Sequence, residues 1–255
     1  MKGYRIMLRS IDDVLKSGVT CPDGDLGKVE HVYFDILTWC VRYLIVDTAA
    51  WGYGEKIWVP TCCVRQIDFA SNVIKLNHAQ QNMLSSSSID TQTPISHLQE
   101  VAIFAHYGYK PYWQQERFRG APKRPGGRFG PPVADEPDAN VRIASKTDLP
   151  NATVELMNTK HVGGFAIEAS DGPIGHIRDF VFDDETWLIR YLTVDTRDWW
   201  QRESEVLLAT ESFNRIDSTA QTISTTLSRG AIKRSPTYLD AVPLSRMYKT
   251  QLHKP

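Results

Sequence analysis

The fold of this chain is decided by two stretches of its sequence, residues 23–51 (DGDLGKVEHVYFDILTWCVRYLIVDTAAW) and residues 171–199 (DGPIGHIRDFVFDDETWLIRYLTVDTRDW). The second stretch aligns on the first without a gap at an offset of 148 residues, and 14 of the 29 aligned positions are identical. Further along, Ile67 matches Ile216 at an offset of 149, so the second copy carries one inserted residue. The sequence therefore predicts a tandem duplication of a unit of roughly 75 to 85 residues, large enough for a small domain.

Within each copy the residues predict β-structure. Short runs rich in β-branched and aromatic residues alternate with turn residues, and almost no helical pattern lies between them. The DGxxG motif that opens each stretch predicts a tight turn, because glycine adopts positive φ easily. Its glycines are Gly24, Gly27, Gly172 and Gly175. We expect each copy to close into a small barrel, since closure removes exposed strand edges.

One strand in each copy indicates which side chains face the core. Position 45 is isoleucine in the first copy and its equivalent, 193, is threonine in the second, whereas the positions on either side stay apolar. Side chains alternate between the two faces of a strand, so we expect the exchanged position to face solvent. Leu44, Val46, Leu192 and Val194 are predicted to be buried, and Ile45 and Thr193 to be exposed.

A short amphipathic helix is predicted after each copy. The apolar residues at helical spacing are Ile95, Leu98, Ala102 and Ala105 after the first copy, and Leu244, Met247, Tyr248 and Leu252 after the second. The expected organisation is a first barrel at 1–84, a helix and aromatic segment at 85–113, a Pro/Gly-rich basic linker at 114–150, a second barrel at 151–234 and a tail helix at 235–255.

The repeated pattern, DGxxG, then a strand ending in Phe-Asp, then TWxxRYLxVDT and a tryptophan, resembles the PRC-barrel family. Relatives in that family include the cytoplasmic domain of the photosynthetic reaction centre H subunit and the carboxyl-terminal domain of a ribosome-maturation factor. More narrowly, the chain is similar to bacterial tandem PRC-barrel proteins, and the likeness covers all but the middle linker. The resemblance implies two small PRC-type β-barrels in tandem and a role in assembly, with no shared catalytic residues.

Composition excludes several classes of protein. With 29 Lys and Arg against 30 Asp and Glu, the formal net charge is −1, which argues against a chain that coats nucleic acid or anionic membrane. No apolar run approaches the length of a membrane-spanning helix, and the first residues lack a signal-peptide pattern, so we expect a cytoplasmic protein. The four cysteines show no CxxC spacing, which predicts neither a disulfide framework nor a zinc site.

The polar residues kept in both copies are the first candidates for chemistry. They form three pairs: Asp35 with Asp183, Arg42 with Arg190, and Asp47 with Asp195. Each lies at a strand end beside a turn, where aspartate caps backbone N–H groups, so we favour a structural role. We expect no catalytic residues, no metal site and no cofactor.

Aromatic residues in predicted loops are the candidates for partner binding. They are Tyr107, Tyr109, Tyr112, Trp113, Trp51, Trp199 and Trp200. Such clusters either attach a loop to its own domain or form the centre of an interface. For the segment 107–113 the sequence leaves both possibilities open, and for the tryptophans of the loops it favours the structural one, because Trp51 and Trp199 are equivalent.

The linker is the candidate for binding an anionic partner. Its basic residues are Arg117, Arg119, Lys123, Arg124 and Arg128, with no acidic residue among them. They fit a solvated connector, and alternatively a basic arm that folds onto RNA or lipid headgroups.

We therefore expect a non-enzymatic scaffold or adaptor that binds another protein or pairs with itself as a homodimer. Contact with a membrane is expected only through a partner, such as the cytoplasmic face of a complex like a photosynthetic reaction centre. An RNA-binding or ribosome-assembly protein is the alternative, although nucleic acid is the less favoured partner. A small-ligand binder with a cleft between the barrels is the second alternative.

Overall fold

The computed structural model describes residues 7–54, 56–85, 97–109, 156–197 and 205–235. The first repeat contains β1 (Leu8–Ser10), α1 (Ile11–Leu15), β2 (Gly18–Cys21), β3 (Gly24–Asp35), β4 (Cys40–Asp47), β5 (Lys56–Pro60), β6 (Val64–Asp68), β7 (Val73–Leu76), α2 (Gln80–Leu84) and α3 (His97–His106). The second repeat contains β8 (Leu156–Asn158), α4 (Thr159–Val162), β9 (Ala166–Ala169), β10 (Gly172–Asp183), β11 (Ile189–Asp195), β12 (Glu205–Ala209), β13 (Phe213–Asp217), β14 (Thr222–Thr225) and α5 (Arg229–Lys233).

The chain is mainly β, and its strands form two separate mixed sheets with the same strand order. The first sheet runs β5-β4-β3-β2-β7-β6 and the second runs β12-β11-β10-β9-β14-β13. In the first sheet β2 and β7 are parallel, and in the second β9 and β14 are parallel, while the other pairs are antiparallel. The duplication of sequence is therefore a duplication of sheet topology.

The sheets are open, which differs from the predicted closed barrels. Strands β5 and β6 end the first sheet and β12 and β13 end the second, and no ladder between these end strands occurs in the described ranges. A one-turn 3-10 helix joins the end strands, Thr61–Cys63 in the first repeat and Thr210–Ser212 in the second. This turn redirects the chain, so the two ends of each sheet are connected covalently rather than by hydrogen bonds.

The first strand of each repeat belongs to the sheet of the other repeat. Strand β1 pairs antiparallel with β10, placing Leu8 opposite Asp183. Strand β8 pairs antiparallel with β3, placing Leu156 opposite Asp35. The chain thus exchanges strands reciprocally, and a single apolar cluster runs through both repeats. Neither sheet is complete without residues from the other copy.

Both faces of the central strands β4 and β11 are buried. The residues predicted to be buried are so: Leu44, Val46, Leu192 and Val194. Ile45 and Thr193, predicted to face solvent, are each 0% exposed, so that prediction is wrong. Thr193 Oγ1 donates a 3.3 Å hydrogen bond to the carbonyl of Asp179, and Ile45 lies between His31 and Trp58 on the neighbouring strands. The threonine therefore marks a buried hydroxyl with an internal acceptor.

The glycines of the DGxxG motifs have two different roles. Gly24 and Gly172 have positive φ, +154° and +129°, at the turns that open β3 and β10, as predicted. Gly27 and Gly175 lie inside those strands instead. A Cβ on Gly27 would collide with the carbonyl oxygen of Asp47, and a Cβ on Gly175 would collide with the equivalent oxygen. The second glycine is required for close approach of two strands, not for a turn.

Helix α3 is the helix predicted after the first copy, but its buried face differs from the predicted one. Ala102 is exposed, while Glu100, Ile103, Phe104 and Tyr107 are buried at helical spacing. A glutamate in the buried stripe disguised this face in the sequence. The helix predicted near residue 248 lies outside the described residues. No helix within the described ranges is long and apolar enough to cross a membrane.

Candidate interaction site

The turns between β3 and β4 and between β10 and β11 meet at the seam between the repeats. Trp39 and Trp187 occupy equivalent positions in these turns, with φ of 56° and 58°. The carbonyl of Trp187 accepts a 2.8 Å hydrogen bond from Val41 N, and the carbonyl of Trp39 accepts one of 2.8 Å from Ile189 N. A left-handed conformation is costly for a bulky residue, and here it directs each carbonyl toward the other repeat.

The exchanged strand β1 carries polar contacts that fix it to the second sheet. Ser10 Oγ lies 2.5 Å from Asp179 Oδ2 and also accepts a hydrogen bond from Asp12 N, which caps α1. Arg9 forms an ion pair with Asp184 at 4.0 Å, with both side chains partly buried. Burial raises the pKa of Asp179 to about 7, against the opposing effect of the Ser10 hydrogen bond.

The duplicated polar residues close the turns, as the sequence predicts. Asp35 Oδ1 accepts hydrogen bonds from Leu37 N and Thr38 N, and Asp35 Oδ2 forms an ion pair with Arg42 at 3.4 Å. The second repeat repeats this arrangement with Asp183 and Arg190 at 3.3 Å. These carboxylates and guanidinium groups therefore stabilise the β-turns.

Aspartates at the ends of β4 and β11 order the following loops. Asp47 Oδ1 accepts a 2.9 Å hydrogen bond from Ala49 N, and Asp195 Oδ1 accepts a 3.0 Å bond from Arg197 N. Arg197 also donates to the same carboxylate, and its hydrogen bond holds the pKa of Asp195 below its ordinary range. The loops after β4 and β11 thus begin with the same hydrogen bond but differ in charge, because Arg197 follows β11 whereas residues 49–54 after β4 are uncharged.

The loop after β4, residues 49–54, is the candidate interaction site, and we call it the aromatic loop. A 3-10 turn, Ala49–Trp51, begins it, and Gly52 ends that turn with φ of 85°. Trp51 N donates to the Thr48 carbonyl at 3.1 Å. Tyr53 is 40% exposed and Trp51 is half-buried, while the remaining residues of the loop are exposed. The sequence of this loop, AAWGYG, contains no charged residue.

The other tryptophans among the candidates for partner binding, Trp199 and Trp200, lie outside the described residues. So do Tyr112 and Trp113, and the basic residues Arg117, Arg119, Lys123, Arg124 and Arg128. Their predicted roles stay predictions.

The first two aromatic residues of the segment 107–113 pack inward. Tyr107 is 4% exposed, and its ring lies 5.2 Å from the ring of His78 and 4.8 Å from that of His106. Tyr109 is half-buried, and its hydroxyl lies 3.3 Å from His78 Nε2. Burial lowers the pKa of His78 and raises the pKa of Tyr109 to about 12. At these two positions the residues attach the chain to its own first sheet.

A buried carboxylate joins α3 to the first sheet, and sequence reasoning missed it. Tyr43 Oη donates a 2.8 Å hydrogen bond to Glu100 Oε1, and Glu100 is 1% exposed. Burial raises the pKa of Glu100 to about 7, against the lowering effects of the Tyr43 hydrogen bond and the Arg42 charge. The only sequence signal is a single acid within an otherwise apolar helical stripe.

The cysteines and histidines do not assemble into a metal centre in the described part of the chain. No group of three or more His, Cys, Asp or Glu side chains there could hold a metal ion. Cys21, Cys40, Cys62 and Cys63 are buried, and none of them is in a disulfide. Burial raises the pKa of the Cys63 thiol well above its ordinary value, which disfavours the reactive thiolate.

Comparison with protein families and with curated proteins gives no relative from which a function could be transferred. No protein-family model matches the chain, and no curated protein matches it significantly.

Proposed function

We propose that this protein is a non-enzymatic assembly scaffold whose two-repeat body presents the aromatic loop to a partner protein or to a second copy of itself. The main observation in support is that this loop exposes Tyr53 beside the half-buried Trp51. The loop carries no charge and is ordered by its own hydrogen bonds. An ordered loop loses little conformational entropy on binding. Tyrosine and tryptophan are enriched at the energetic centres of protein interfaces.

The engagement of the duplicated polar residues supports a role other than catalysis. Asp35 and Asp183 are both occupied by backbone N–H groups and an arginine, and Asp47 and Asp195 cap the loops. A general acid or base needs a carboxyl that is free to reach a substrate proton. These four carboxylates serve the turns and loops instead.

We also propose that the two repeats, although their sheets are open, belong to the PRC-barrel family, and that the protein works in the cytoplasm. The repeated motif supports the family assignment. The four cysteines, none of them in a disulfide, support a reducing compartment. A crystal structure superposed on the cytoplasmic domain of the reaction centre H subunit tests the first proposal, and fractionation of the native cell tests the second.

The experiment on the aromatic loop compares Tyr53→Ser with Leu37→Ser in the full chain. Leu37 is the matched control, because it is also an exposed apolar side chain, 73% exposed, and lies before β4 while Tyr53 lies after it. Both variants remove exposed apolar surface and are expected to keep the wild-type melting temperature. Each is tested in quantitative pull-downs with identification of captured proteins, and by sedimentation velocity.

The expected result is a protein, or a second copy, that wild type and Leu37→Ser bind and Tyr53→Ser loses. Identical binding by all three chains, or an equal loss for both variants, would contradict the assignment of the aromatic loop.

A further inference from the structure

We propose that the chain self-associates by exchanging repeats, so that the first repeat of one copy pairs with the second repeat of another through the seam that joins them within one chain. This inference rests on the proposed role in assembly and names a second copy as the partner. It uses a surface different from the aromatic loop.

The seam is built as a two-fold interface. The backbone bond from Val41 to Trp187 is mirrored by the bond from Ile189 to Trp39. The rings of Phe34 and Phe180 lie 5.6 Å apart across the seam. The two backbone bonds are isologous contacts, in which both partners use the same surface, as in dimers with two-fold symmetry. Here both partners lie in one chain.

Each repeat needs a strand that only another repeat can supply. Strand β1 lies on β10 while α1 returns the chain to β2 in the first sheet, and β8 lies on β3 in the same way. The residues that fix these strands make the same contacts whichever molecule provides them. A first repeat therefore requires a second repeat, and a second repeat requires a first, but the two need not belong to the same chain.

An ion pair makes the strand exchange specific for pairing of a first repeat with a second repeat. Arg9 pairs with Asp184 on the second sheet, whereas the position equivalent to Asp184 in the first repeat is Ile36. The position equivalent to Arg9 in the second repeat is Met157, which lies opposite Phe34. If β1 were placed on the first sheet, Arg9 would lose its carboxylate, and if β8 were placed on the second, Met157 would replace a cation near Asp184.

A second polar pair makes the same distinction. Ser10 contacts Asp179, and the equivalent positions are Asn158 and His31. Burial lowers the pKa of His31, with Lys160 of α4 acting in the same direction and Glu30 opposing. The Arg9–Asp184 and Ser10–Asp179 contacts therefore favour pairing of a first repeat with a second repeat over pairing of two first repeats, because the equivalent positions hold other residue types.

Chain connectivity allows the exchange between two molecules. Residues 110–155 separate the end of the described first repeat from β8. A segment of that length reaches on the order of 150 Å when extended. The entropic cost of closing such a segment grows only slowly with its length. The segment sets the effective concentration of one repeat at the other, so at high protein concentration a repeat of a second copy competes with the repeat of the same chain.

The test uses two charge-reversed full-length chains, Arg9→Glu and Asp184→Arg. Within either chain alone, the side chains at positions 9 and 184 carry like charges. In a mixed dimer that exchanges repeats, the two substituted side chains face each other at one seam and the native Arg9 and Asp184 face each other at the other, so both ion pairs are restored. The chains are mixed, unfolded and refolded together, and their oligomers are measured by native mass spectrometry and sedimentation.

We expect the mixed dimer to form at about tenfold lower concentration than dimers of either variant alone, since two repulsive contacts become two attractive ones. The control pair is Lys56→Glu and Glu30→Lys. It reverses an ion pair that lies wholly within the first repeat, where exchange restores nothing. A control mixture that dimerises as readily as the test mixture would overturn the proposal, as would a test mixture that stays monomeric.

A second measurement covers the case in which a charge-reversed chain does not fold. One chain carrying Met7→Cys and another carrying Asp184→Cys are mixed and refolded. Within one chain Asp184 N donates to the Met7 carbonyl at 3.2 Å, and exchange would place this contact between two chains. A disulfide between the two chains is expected. Its absence under conditions that oxidise a chain carrying both substitutions would overturn the proposal. Loss of binding by Tyr53→Ser with normal exchange separates this inference from the aromatic loop.

Discussion

Tyr43 Oη donates a 2.8 Å hydrogen bond to Glu100 Oε1, and both side chains are buried between β4 and α3. The ring of Phe104, one turn further along α3, packs edge-to-face with the Tyr43 ring, with 6.4 Å between the ring centroids. The helix is thus held to the first sheet by an apolar contact and by the hydrogen bond of a buried carboxyl group. The second contact depends on pH.

We expect the stability of the protein to fall as pH rises from about 4.5 to about 7. Burial raises the pKa of Glu100 from 4.5 to about 7. Below the lower value the carboxyl is protonated in both states, and between the two values the unfolded chain releases its proton first. Above the upper value Glu100 is charged in the folded and the unfolded state, and the loss of folding stability relative to pH 4 stays constant at about 3 kcal/mol. Urea unfolding at a series of pH values measures this slope.

Glu100→Gln isolates the contribution of this group. The glutamine keeps the shape and an oxygen acceptor for Tyr43, so the variant is expected to gain stability relative to wild type at pH 8 and to match it at pH 4. Part of the slope is expected to remain, because burial also raises the pKa of Asp179 to about 7. Glu30→Gln, at a partly exposed ion pair, is the control. Equal pH profiles for wild type and Glu100→Gln would show that α3 does not hold this carboxyl out of water.

The sequence predicted the duplicated elements because each copy repeats its turn residues and strand patterns. It also predicted that Asp35 and Asp183 close turns, since an aspartate at a strand end has backbone N–H groups within reach. The strand faces were predicted only in part. Alternation assumes that one face meets solvent, whereas β4 and β11 are covered on both sides.

The exchange of β1 and β8 could not be predicted from the sequence. A three-residue strand has the same pattern whether it pairs with its own sheet or with the other one. The distinction depends on Arg9 and Asp184, which are far apart in the chain and have apolar equivalents in the other copy. Glu100 was missed for a related reason, because a charged residue in a helix is usually solvated.

Alanine at Gly27 or Gly175 is expected to destabilise the protein by about 3 kcal/mol or more, because the new Cβ would force two strands apart. Besides the carbonyl clash, that Cβ would lie 2.8 Å from Val46 Cγ1 at Gly27. Gly18→Ala is the control, since its nearest neighbour, the Asn72 carbonyl oxygen, is 3.9 Å away. Thermal and urea melts compare the three variants. Equal stabilities would mean that the DGxxG glycines are not needed for strand approach.

Leu192→Ala is expected to cost about 2 to 5 kcal/mol, the range for a fully buried leucine. Thr193→Val tests the opposite face of the same strand. The valine keeps the volume but leaves the Asp179 carbonyl without the Thr193 hydroxyl, so a cost of about 1 kcal/mol is expected. Urea unfolding measures both. A Thr193→Val chain that equals wild type, together with a Leu192→Ala cost below about 1 kcal/mol, would contradict the burial of both faces of β11.

Tyr107→Ala is expected to destabilise the protein by about 3 to 5 kcal/mol, because the ring is buried against His78 and His106 and its removal leaves a cavity. Tyr53→Ala is the matched aromatic control, and its exposed ring predicts a change within about 0.5 kcal/mol. The two tyrosines thus separate the two possible roles of aromatic residues in this chain. Melting and partner capture are measured on the same preparations. A Tyr107→Ala chain that melts like wild type but no longer binds its partner would show that the segment 107–113 belongs to the interface. A Tyr53→Ala chain with a strongly lowered melting temperature would show that Tyr53 has a structural role and would contradict the assignment of the aromatic loop to the interface.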